Sequence, residues 1–80
     1  MGKEFQIRID SLDLGQIIDG LRSRYESWSN TAIFLRDGYF PGDGFVCEEC
    51  SDPNEAERIA NDYQRIIGNI EQQVDRQGGW

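Results

Sequence analysis

The sequence predicts a mainly α fold: an antiparallel two-helix hairpin with a short N-terminal β-strand and an acidic connector. Three observations predict it. Apolar residues recur at alternating steps of four and three in two separate stretches. Each stretch opens on a helix-capping signal. Between them runs a turn-rich segment that holds the net charge of the chain.

The first element is the alternating run over residues 3–9. Phe5, Ile7 and Ile9 fall on one face and polar side chains on the other, the pattern of a half-buried strand. Asp10 and Ser11 then supply capping oxygens, and Asp13 stands three residues after Asp10, close to capping-box spacing. From there Leu14, Ile18, Leu21, Tyr25, Trp28, Ala32, Leu35 and Tyr39 form a heptad seam. It predicts a first helix over 11–37. Gly15 and Gly20 each weaken that helix by up to about 1 kcal/mol, so the seam must outweigh them or Gly20 must admit another backbone. Asp37-Gly38 ends it, glycine being the natural residue just past a helix.

The connector, 38–51, has turn chemistry at Pro41-Gly42 and Asp43-Gly44. A brief extended piece is expected over 45–48. Asp52, Pro53 and Glu55 then mark a helix start: a capping carboxylate, proline at the first helical position, and an acid placed to reach back. The second helix, over 52–76, has its own seam in Ala56, Ala60, Tyr63, Ile67, Ile70 and Val74. Gly68 is its weak point, and residues 77–80 read as a frayed tail. Two helices of matched length imply an antiparallel pair. The connector of about 14 residues exceeds the usual 2–8 between bundle helices.

Eighty residues make one domain with a marginal core, because a chain this short buries only about 60% of its unfolded surface. Ile33, Phe34, Phe40, Phe45 and the strand face lie off the two seams and need cover. The connector, the strand or a second copy in a homodimer would provide it. No apolar run approaches the roughly 20 residues of a membrane span, and the first residues lack the apolar core of a signal peptide. The expected compartment is the cytoplasm.

Charge separates the remaining function classes. The formal net charge is -7. Asp37, Asp43, Glu48, Glu49, Asp52, Glu55 and Glu57 lie in one stretch that holds no basic residue, and the rest of the chain balances acid against base. Direct nucleic-acid binding rests on a basic patch, and one lysine with scattered arginines does not make one. The chain has no histidine, no phosphate-binding glycine loop and no calcium-loop spacing, so no enzyme chemistry, metal or cofactor is expected. Cys47 and Cys50 form half of a zinc site that only a second chain could complete; otherwise they are reduced thiols, at least one packed as a small apolar group.

Asp52, Glu55 and Glu57 have a local explanation, since acids are favoured at a helix N-terminus. The other acids lie with aromatic residues on or beside the long connector. The candidate partner-binding residues are therefore Asp37, Tyr39, Phe40, Asp43, Phe45, Glu48 and Glu49. Aromatic anchors inside a charged rim suit an interface with a basic protein surface. The stretches Thr31-Ala32-Ile33-Phe34-Leu35, Glu49-Cys50-Ser51-Asp52-Pro53-Asn54-Glu55-Ala56 and Ile59-Ala60-Asn61-Asp62-Tyr63 resemble small proteins of bacteriophages and prophages. In size, acidity and lack of catalytic residues the chain is similar to anti-CRISPR proteins. That resemblance implies an inhibitor that acts in the cytoplasm of a bacterial host cell and binds a CRISPR effector subunit over its DNA-binding surface as a DNA mimic. The competing expectation is a non-inhibitory assembly subunit that oligomerises or docks through its heptad seams.

Overall fold

The structure is a computed structural model that describes residues 2–39 and 48–80. Its elements are α1 (Ser11–Asp37) and α2 (Pro53–Arg76). They run antiparallel, since Arg22 in the first half of α1 pairs with Glu71 in the last third of α2 at 2.7 Å. At the other end Arg36 pairs with Glu57 at 3.4 Å. The two seams meet each other. Ile18 and Ala32 of α1 and Ala56, Ala60 and Ile67 of α2 are the buried apolar residues, and the other seam positions are half-buried except Tyr39.

The caps act as their chemistry dictates. The Asp10 carboxylate accepts the Asp13 N–H at 2.9 Å, and Asp52 accepts that of Asn54 at 2.9 Å. Because Asp52 is the cap, α2 begins one residue later than the expected 52. Gly38 closes α1 in the left-handed conformation, φ 80, with its N–H on the Phe34 carbonyl. Only glycine enters that region without a steric penalty.

Three expectations change. Residues 3–9 form no strand: residues 2–10 are in neither helix nor ladder, and Phe5 and Ile7 are 76% and 73% exposed. Alternation chooses a face, but a strand also needs a neighbouring strand for its N–H and C=O groups, and the described residues hold none. Residues 77–80 are not frayed at their start. Gly78 and Gly79 have positive φ, and their N–H groups reach the Asp75 and Val74 carbonyls at 3.2 and 2.9 Å. That is a Schellman closure of α2. It turns Trp80 back beside Phe5 at the open end of the hairpin. The third change concerns Gly20, which admits no close neighbour: a Cβ built there meets nothing within 4 Å, and the same holds at Gly15 and Gly68.

These glycines are therefore helix positions without a packing role. Replacing Gly20 or Gly68 with alanine is expected to raise stability by about 0.5–1 kcal/mol each, because alanine loses less backbone freedom on folding. Urea midpoints of the single variants check this. A fall in either midpoint would reveal a neighbour that the open geometry does not show. Among the described residues no helix is long and apolar enough to cross a membrane.

Candidate functional site

The candidate surface is the connector end of the hairpin. Phe40, Asp43, Phe45 and Cys47 lie outside the described residues, as do the expected turns and extended piece. Asp37, Tyr39, Glu48 and Glu49 are described, and they divide into two kinds.

Glu48 is tied down. Its carboxylate accepts the Arg24 guanidinium at 2.5 Å and the Ser27 hydroxyl at 2.8 Å. Its backbone N–H donates to the Thr31 hydroxyl at 2.9 Å, and that hydroxyl donates to the Ser27 carbonyl at 2.8 Å. Thr31 is 1% exposed, so its hydroxyl is buried with both hydrogen-bonding roles filled. Arg24, Ser27 and Thr31 stand at helical spacing on α1 and present one polar stripe to the end of the connector. The guanidinium of Arg24 also lies 6.0 Å from the centre of the Tyr63 ring. Its hydrogen bond to Tyr63 pushes its pKa further up, opposed by desolvation and reinforced by Glu48. The cation is thus permanent, and Glu48 is an anchor that fixes where the connector rejoins α2.

The second kind faces water. Asp37 and Glu49 are exposed, and Tyr39 is 58% exposed. Arg36 lies between Asp37, at 3.8 Å, and Glu57, at 3.4 Å, so one arginine spans acids from both helices. Glu57 therefore shares the surface with Asp37, although its place near the start of α2 gave it a sufficient local explanation. The signal that could have found it is register: in an antiparallel pair the last turn of α1 faces the first turn of α2. Glu49 and Glu55 are exposed and ion-pair with nothing among the described residues. On the side of Arg36 and Glu57, these two with Tyr25, Ile33, Ala60 and Asn61 line a shallow groove between the helices. Ile33 is half-buried there, which gives one of the unassigned apolar residues a place.

Two further groups lie near this stripe. Cys50 has a free thiol that points to the Asp52 carbonyl at 3.4 Å. Trp28 Nε1 is buried with no hydrogen-bond partner among the described residues. Such a group costs about 1–3 kcal/mol. Among the described residues no group of three or more metal-ligating side chains is assembled. The connector end offers exposed acids and an exposed aromatic, which is chemistry for attracting a cationic surface. The chain matches no protein-family model, no curated protein and no solved structure.

Proposed function

We propose that this chain is a small binding protein whose acidic connector end seats on the basic surface of another protein and inhibits or modulates it. The observation that carries this reading is the exposure of Asp37, Glu49, Glu55 and Glu57 together with Tyr39 at the connector end of the hairpin, with Arg36 held between Asp37 and Glu57. A basic surface that holds a nucleic-acid backbone offers the matching charge, with the carboxylates in the places of phosphates. In its specific form the partner is a CRISPR effector subunit and the chain an anti-CRISPR inhibitor, as the resemblance implies. The reading assigns no reaction to the chain. It is favoured over seam-driven assembly because the two seams already bury each other within one chain.

The test begins with affinity capture from a bacterial lysate to obtain the partner, followed by titration of the purified pair. Glu48 is the wrong acid to reverse, since a lysine there faces Arg24 and breaks the anchor. Glu49→Lys with Glu57→Lys reverses charge on exposed positions and leaves the caps and the seam intact. The expected result is ~10–100-fold weaker binding, and wild-type affinity that falls steeply with salt because the interaction is electrostatic. Binding that is indifferent both to the double reversal and to salt would refute the acidic-surface reading. For the effector form, the titration is repeated with the effector's DNA as competitor. Simultaneous binding of DNA and this chain removes the mimic.

A further inference from the structure

At the end opposite the acids the hairpin is open and apolar. Phe5, Ile7 and Ile9 line a cleft with Ile17 of α1, Val74 of α2 and Trp80. The cleft measures about 660 Å³. Of the large apolar side chains exposed among the described residues, all but Phe34 and Tyr39 belong to this end. Trp80 does not arrive by chance: the Gly78–Gly79 closure of α2 sets its direction. Nothing within the described chain covers the cleft.

We infer that a second copy of this chain covers it, in a two-fold dimer joined at the open ends. The first argument is area. A monomer of 80 residues is expected to expose about 4,900 Å², whereas this chain exposes 6360 Å². The excess over the whole chain, on the order of 1,400 Å², leaves room for the ~800 Å² that each partner contributes to a standard interface. The shape agrees, because the chain measures 43 × 31 × 17 Å, thin in one direction as expected of a single layer of two helices. A domain core is normally enclosed by two layers.

The second argument is charge. The net charge of -7 lies in residues 37–57, whereas the open end, residues 1–19 and 67–80, carries three basic against six acidic side chains. Two copies joined there bring fewer like charges together than at the connector end and keep the two seven-acid stretches apart. Their acidic ends then stand roughly 35 Å along α1 from the joint on each side, well beyond the ~8 Å screening length at physiological salt. A dimer joined at the acidic ends would instead bring the like charges together. The backbone of residues 2–9 makes no hydrogen bond among the described residues, so it is open to pairing across the two-fold axis. The proposed binding role of the acidic end plays no part in this inference, and either can fail without the other.

Sedimentation equilibrium of the full chain tests it. The expected result is a two-chain mass at ~50 µM, within the micromolar-or-tighter range of interfaces this large. Ile7→Asp and Trp80→Asp each place a charge in the joint twice, once per copy, and lie outside both helices. Each is expected to raise the dimer dissociation constant at least ~100-fold with helical circular dichroism unchanged. Glu49→Lys, on the far end, leaves the constant unchanged. A one-chain mass at every concentration overturns the proposal. So does a dimer that survives both aspartate variants.

Discussion

Ile18→Ala is expected to lower the melting temperature by at least ~10 °C. The side chain is 2% exposed, and truncating a buried isoleucine costs about 2–5 kcal/mol through lost transfer energy and the cavity left behind. For a domain of 80 residues the whole stability is only about 4–12 kcal/mol. Each kcal/mol shifts the midpoint of such a small domain by roughly 4–8 °C. The core is thin at this point. Ile18, Ile67 and three alanines are its buried apolar members among the described residues, so Ile18 is one of only two large side chains in that set. Ile67→Ala should behave alike. Leu12→Ala is the control, since Leu12 lies on the same helix but is 82% exposed, and its truncation should stay within about 0.5 kcal/mol. Thermal unfolding followed by circular dichroism at one fixed protein concentration compares the three. Equal losses at Leu12 and Ile18 would mean that the seam is not where the helices meet.

Thr31→Val should cost about 1–3 kcal/mol although it keeps the shape of the side chain. It removes the acceptor of the Glu48 N–H and the donor to the Ser27 carbonyl. An unsatisfied part-buried amide loses the full desolvation penalty of that group. Thr31→Ser, which restores the hydroxyl and drops only a methyl, should recover most of the loss. Amide exchange separates this anchor from general destabilisation: the Glu48 N–H should exchange faster in the valine variant under native conditions, while amides in the middle of α2 keep the protection set by global unfolding. If valine is neutral, or serine fails to restore stability, the anchor does not hold the connector. The Ser27→Ala variant removes a second bond of the same cluster, so combined with Thr31→Val its effect should be less than additive.

Much of this fold is legible in one dimension because its signals are local. Asp10 caps Asp13, and Asp52 caps Asn54. Gly38 ends α1 by a bond to Phe34. Each acts within four residues, so composition and spacing suffice to place the helix ends. The seams are legible for a similar reason: helical spacing groups Ile18 with Ala32, and Ala60 with Ile67, whatever the partner. The two glycines after α2 carried a readable signal for a Schellman closure, and the tail was nevertheless expected to fray.

The alternation of Phe5, Ile7 and Ile9 shows the limit of that local reading. It states how a strand would orient, but the ladder that makes a strand belongs to another segment, and none is present among the described residues. The candidate site was legible only as a concentration of charge. Which acids face water was decided by contacts between residues far apart in the chain: Glu48 with Thr31, Ser27 and Arg24, and Glu57 with Arg36. Those contacts depend on the register of α1 against α2. A shift of a single residue along either helix rotates its side chains by about 100° and would pair different groups. The sequence by itself determined the two helices, their ends, their apolar stripes and the acidic quarter between them. Only the packing of the helices decided that Glu48 anchors the connector, that Glu57 joins Asp37 on one surface, and that Phe5 and Trp80 share an uncovered cleft, because each of these joins residues that local structure alone does not bring together.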